Sequence, residues 1–173
     1  IISTLTFSSL ILRNMQSQAM AQLETSVKVL EFAINSKKNE LISDTQVFGQ
    51  KESLRQALSA GDSSQLAKVS QEFLLTKKLS FLVVVDADGQ VIARGEEPER
   101  IGDSLSENTL IKRSYLGEGV ASITVRDGVL APQVLISAGS SISEKDDLIG
   151  AVLGGISIDN AFVDGVKRAT SLT

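Results

Sequence analysis

Residues 80–94, SFLVVVDADGQVIAR, constrain the fold more than any other stretch of the chain. Phe81 to Val85 is a short apolar run rich in β-branched side chains. Asp86-Ala87-Asp88-Gly89 follows it, and Gln90-Val91-Ile92-Ala93 is a second run. Two such runs around an Asp-Gly turn predict a β-hairpin, because glycine supplies the positive φ that a tight turn needs. The chain before the hairpin reads as helix, and most of the chain after it reads as further strands.

Between Arg13 and Ala60 there is no proline and one glycine, Gly49. Met20, Leu23, Val27, Leu30, Ile34, Leu41 and Phe48 recur at spacings of 3, 4 and 7, which is one apolar stripe on a long helix. Lys37 and Asp44 interrupt the alternate seam positions, so a continuous tight coiled coil does not follow. The helix packs on its own sheet, pairs with a second protomer, or does both in different segments. Residues 1–12, IISTLTFSSLIL, are apolar and uncharged, but a span needs about 20 residues. They read either as the first turns of a buried or dimer-forming helix or as the outer end of a transmembrane helix. Gly61-Asp62 is a turn, and Ser63 or Ser64 can cap a second helix over 64–76. Leu66, Val69, Phe73 and Leu74 lie on one side of it, and Lys77 and Lys78 suit its C-terminal end.

After the hairpin, residues 95–102 form a polar loop broken by Pro98 and two glycines. Ser106 or Asn108 opens a short helix that Gly117 ends. Residues 120–126 alternate, with Ala121, Ile123 and Val125 on one face and Ser122, Thr124 and Arg126 on the other. Asp127-Gly128 is a second hairpin turn. A long strand over 130–140 carries Pro132 near its start, which implies an edge or a bulge. A charged turn at 144–147, a final strand over 148–158, and a closing helix capped by Asp159 or Asn160 complete the chain. The prediction is an α+β fold. A five-stranded antiparallel sheet carries the long helix on one face and a short helix-loop layer on the other. Residues 1–78 form the N-terminal helical segment, 79–159 the core and 160–173 an exit helix.

Several chemistries are excluded. The chain has no cysteine and no histidine, which removes most zinc, haem and copper sites and most nucleophile–base pairs. A net charge of -4 with no basic stripe gives no nucleic-acid footprint. Asp86-Ala87-Asp88-Gly89 opens like a calcium loop, but Val91 takes the position that must be glycine. Gly150-x-x-x-Gly154 lies in an apolar segment too short for a membrane span. Gly117-Glu118-Gly119 lacks the lysine and the context of a phosphate loop. The pairs Glu96-Glu97 and Asp146-Asp147 read as solvated loop carboxylates. No catalytic residue, metal site or cofactor emerges.

What remains is a polar set suited to binding. Ser122 and Thr124 share a strand face, Ser137 sits on the next strand, and Arg94 ends the first hairpin. Lys112, Arg113, Ser114 and Tyr115 lie on the short helix. If that helix covers the sheet, it encloses a pocket in which arginine, hydroxyls and a tyrosine suit a carboxylate-bearing ligand, since a guanidinium pairs bidentately with carboxylate. For any single one of these residues a solvent-facing position is the simpler reading.

The arrangement resembles the Cache family of extracytoplasmic sensor domains, the PAS-like modules of bacterial chemoreceptors, sensor kinases and cyclic-di-nucleotide enzymes. The likeness rests on the long N-terminal helix, FLVVVDADGQVIAR, IGDSLSENTLIKRSYLGEG and LIGAVLGGISIDNAFVDGVKR. It implies a periplasmic, membrane-anchored, non-enzymatic sensor that binds a small molecule such as an organic acid or amino acid. It also implies a homodimer through the N-terminal helix and no nucleic-acid partner. The family's pocket lies between the sheet and the helix-loop layer, which by position implicates Arg113, Tyr115, Ser122, Thr124 and Ser137. The tryptophan-and-tyrosine amino-acid motif of double Cache receptors is absent. A single PAS-like unit fits a single-Cache form or the membrane-distal part of a longer sensor. A haem attached through cysteine is ruled out. The alternative is a ligand-free dimerisation or spacer module, and a third reading is a cytoplasmic PAS-like interaction domain.

Overall fold

A computed structural model describes residues 2–127, 131–145 and 147–170, with the backbone alone for 2–19 and 170. Five antiparallel strands, β1 (Phe81–Asp86), β2 (Val91–Arg94), β3 (Val120–Arg126), β4 (Gln133–Glu144) and β5 (Asp147–Ser157), form one sheet in the order β2-β1-β5-β4-β3. The hairpins β1–β2 and β4–β5 join sequence neighbours. The contact of β1 with β5, registered Phe81 to Gly155 and Val83 to Leu153, brings the two halves of the sheet together.

Side chains alternate across the sheet, and both faces are covered. Leu82 and Val84 of β1 enter a core with Leu41, Phe48, Leu66 and Phe73. Phe81, Val83 and Val85 enter a second core with Leu110, Ile111, Leu135 and Leu153. Burial on both sides explains why β1 reads as an unbroken apolar run. The helices α1 (Ile2–Gly49), α2 (Glu52–Ala60) and α3 (Ser63–Lys77) cover the first face. There Phe48 of α1 lies against Phe73 of α3 with ring centroids 4.4 Å apart. The second face is covered by α4 (Thr109–Tyr115) and the segment that leads into it. A closing helix, α5 (Asn160–Thr170), follows β5, and Asp159 accepts the Phe162 N–H at its start.

The apolar stripe of α1 divides. Leu41 and Phe48 are fully buried, whereas Met20, Leu23 and Val27 are 59–70% exposed. The buried half packs on the sheet, and the exposed half is uncovered in the single chain. Asp44, at an interrupted seam position, is buried and pairs with Lys77 of α3 at 2.7 Å.

Three local readings need correction. The long helix stops at Gly49 rather than running to Ala60. A Cβ there would lie 2.8 Å from the Ser141 carbonyl, so the chain passes too close to β4 for any side chain. The cap of α3 is Asp62, which accepts the Gln65 N–H at 2.9 Å, not a serine. Pro132 precedes β4 instead of lying in it, and β4 is an interior strand between β5 and β3. Gly128 of the expected second turn lies outside the described residues. Among the described residues no helix is long and apolar enough to cross a membrane.

Candidate functional site

The layer on the second face is built by local sequence. Asn108 caps α4, its side chain accepting the N–H groups of Leu110 and Ile111. Leu110, Ile111 and Ser114 then face inward, at the spacing that puts residues on one side of a helix. Before α4, the chain from Gly102 runs back along the free edge of β2. The Val91 N–H donates to the Asp103 carbonyl, and the Gly102 N–H donates to the Val91 carbonyl, each at 2.8 Å. That edge is therefore occupied rather than open.

Arg94 pins this segment. It is buried, its Nε donates to the Arg100 carbonyl at 2.9 Å, and its Nη2 reaches Asp103 Oδ2 at 2.6 Å. Burial raises the Asp103 carboxyl, but the hydrogen bond and charge of Arg94 outweigh it and hold the group below the usual carboxylate range.

Between the pinned segment, α4 and the sheet lies a cavity of about 300 Å³. Its floor is Phe81, Val83, Leu135 and Leu153, with Leu105 and Leu110 opposite. Its polar lining includes Arg94, Arg100, Arg126, Asp103, Thr124 and Ser137, so three arginines face one carboxylate. Thr124 and Ser137 share a hydrogen bond of 2.7 Å, and Ser137 is buried. The Arg126 guanidinium stands over the Phe81 ring at 6.0 Å and lies 3.7 Å from Glu96 Oε1. A cavity of this size, apolar at its base with a few convergent cationic and hydroxyl groups, fits a small anionic molecule.

Of the six residues singled out by sequence, Arg94, Thr124 and Ser137 line the cavity. Arg113 is half exposed and makes an ion pair with Glu118 at 2.7 Å. Tyr115 donates its hydroxyl to the Asp86 carbonyl and packs at the edge of the second core. Burial, with the charge of Asp86 nearby, pushes the Tyr115 phenol up. The Ser122 hydroxyl bonds the neighbouring Ile123 carbonyl. These last three stand outside the cavity lining. Sequence reasoning did not select Arg100, Asp103, Asn108 or Arg126. Glu96 is also not the solvated carboxylate expected of it. Its side chain is 16% exposed, and its Oε2 accepts the Leu82 N–H at 3.0 Å.

A family model, dCache_3, described as the double sensory domain of two-component sensor kinases, matches residues 16–173. No curated protein matches the chain. Among solved structures, the sensor domain of the Vibrio cholerae histidine kinase DctB superposes with a TM-score of 0.71 at 14% identity, covering 88% of this chain and 61% of that one. The Escherichia coli DcuS sensor domain gives 0.61 at 18% identity, over 81% of this chain and 98% of that one. The ligand-binding domain of the Campylobacter jejuni chemoreceptor Tlp3, solved with 4-methylisoleucine, gives 0.59 at 10% identity, over 88% and 63%. The chain thus spans less than two thirds of the DctB and Tlp3 domains.

Proposed function

Because the chain belongs to the dCache_3 family of sensory domains, we propose that it is the ligand-sensing module of a bacterial membrane receptor and that its ligand is a small carboxylate-bearing molecule. The observation that carries this reading is the cavity with three arginines and one carboxylate on the sheet face opposite the long helix. This lining favours an anion, because Arg126 meets Glu96 only at 3.7 Å and its guanidinium is left without a close carboxylate. Thr124 and Ser137 supply hydroxyls beside them, and the apolar floor takes the ligand's carbon skeleton. The unit does no chemistry itself. It would lie outside the cytoplasm and feed a kinase, chemoreceptor or cyclase output.

Signalling requires the ligand to bind two arrangements of the domain unequally. The α4 layer forms the cavity roof and also packs on β4 and β5, whose other faces meet α1. A change in the roof can therefore reach the long helix through one sheet. The exposed half of α1, with Met20, Leu23 and Val27, is the proposed contact with a second protomer, since an apolar stripe of this length is otherwise left in water.

A thermal-shift screen against organic acids and amino acids tests the reading. A hit should raise the melting temperature with concentration. Arg126→Gln should abolish the shift, and Arg113→Ala should leave it intact. Loss with Arg113→Ala and retention with Arg126→Gln would move the site out of this cavity. A screen without hits on a dimeric domain would favour the ligand-free spacer.

A further inference from the structure

Each arginine of the cavity is met by a carboxylate of the chain itself. Arg94 pairs with Asp103 at 2.6 Å, Arg100 with Glu97 at 3.1 Å, and Arg126 with Glu96 at 3.7 Å. In the first pair Arg94 is buried while Asp103 is partly exposed, and the Arg100 carbonyl reinforces the contact, so it holds the fold of the 95–104 segment. The second joins two exposed side chains of one loop.

The third pair differs in two respects. Arg126 ends β3 at one edge of the sheet, and Glu96 follows β2 at the other, so their contact reaches from one side of the cavity to the other. The pair is also incomplete. Glu96 Oε2 accepts the Leu82 N–H, but Oε1 is buried and accepts no hydrogen bond from the described residues. A distance of 3.7 Å is too long for one. A buried carboxylate oxygen without a donor is costly. Meanwhile the Arg126 side chain keeps 38% of its surface exposed, so it is the cavity arginine with both room and reason to move.

From these contacts, and resting on the reading of the cavity as an anion site, we infer that Arg126 is the gate of the cavity and Glu96 its internal counter-anion. In this structure the guanidinium lies across Phe81 toward Glu96. An anionic ligand takes the guanidinium in a bidentate pair, which Glu96 does not offer. Ligand and Glu96 thus compete for one cation, and Glu96 sets the concentration at which the domain responds. The exchange also ends the side-chain link between the β3 and β2 edges, which gives the two states different geometries. A neutral ligand cannot drive it.

The test is Glu96→Gln, in which the amide oxygen can still accept the Leu82 N–H while the charge is gone. The Arg126 Nε–H resonance is followed by NMR without ligand, and succinate serves as the anion probe in calorimetry. The resonance should shift in the variant, and succinate should bind about two- to fivefold more tightly, the scale of one lost partly exposed ion pair. Arg126→Gln should remove binding with or without Glu96→Gln. An unmoved Arg126 resonance in Glu96→Gln overturns the inference whatever binds, and so does unchanged or weaker succinate binding in that variant. In either case, wild-type binding that depends on Arg126 would leave the proposed function standing. Failure of succinate and of the whole acid and amino-acid screen on both proteins would overturn both.

Discussion

Replacing Gly139 by alanine should displace the roof of the cavity. A Cβ at this position in β4 would lie 2.6 Å from Ser114 Oγ and 3.3 Å from the Val152 carbonyl. Ordinary contact begins at 3.4 Å, so the shortfall against Ser114 is 0.8 Å (3.4 less 2.6). Ser114 gives way only by breaking a hydrogen bond in a fully buried setting. It is fully buried in α4, and its Oγ donates to the Leu110 carbonyl at 2.8 Å. The helix must therefore lift, and overpacking of this kind costs about 2 kcal/mol. For a domain of 173 residues that lowers the melting temperature by about 4–8 °C. Urea denaturation of Gly139→Ala, Ser114→Ala and the double variant measures it. Ser114→Ala alone should be near neutral, because it removes only a hydroxyl bonded within its own helix. In that background Gly139→Ala should cost less than half as much, a coupling that only contacting residues show. An equal cost with and without the Ser114 hydroxyl would mean that the strain lies elsewhere and that Ser114 does not carry it.

Other consequences follow from single contacts. Phe48→Ala removes a fully buried ring stacked near Phe73 and should destabilise the domain by about 3–5 kcal/mol in the same assay. The Asp103 carboxyl is held below its ordinary range by Arg94, so its contribution is present above the unfolded pKa and is lost as pH falls through the lowered folded value. Asp103→Asn should accordingly be less stable than wild type at neutral pH and lose less on acidification, read from urea midpoints across the acid range. The Tyr115 phenol is pushed up, so its contribution is present below the ordinary tyrosine pKa and is lost as pH rises through the folded value. Tyr115→Phe should flatten the alkaline limb. Val27→Asp, on the exposed half of α1, should shift sedimentation toward monomer without lowering the stability of the monomer.

The parts of this fold that were legible in the sequence are those decided within a few residues. Gly89 adopts φ 81° in the β1–β2 turn, and Asn108 caps α4, because the chemistry of each lies in its own neighbours. The site was legible only in part, because a cavity is assembled by strand order. Arg126 and Glu96 are 30 residues apart in the chain and on opposite sheet edges, and they meet only because β5 inserts between β1 and β4. No local pattern carries that information. The position of Arg113 is legible in the helix periodicity. With Leu110, Ile111 and Ser114 as the inward face of α4, Arg113 falls on the rim, where it meets Glu118. The need for glycine at position 49 was hidden for a similar reason, since a Cβ there would meet the Ser141 carbonyl of a distant strand.

An amide NMR titration of the domain with the strongest carboxylate from the thermal-shift screen locates the binding site directly. Saturable shifts largest at Arg94, Leu110, Thr124, Arg126 and Ser137, with smaller ones at Val27 and Arg113, are the predicted result. Shifts centred elsewhere, such as the groove between Phe32 of α1 and Phe162 of α5, or no saturable shift with any acid, would contradict it.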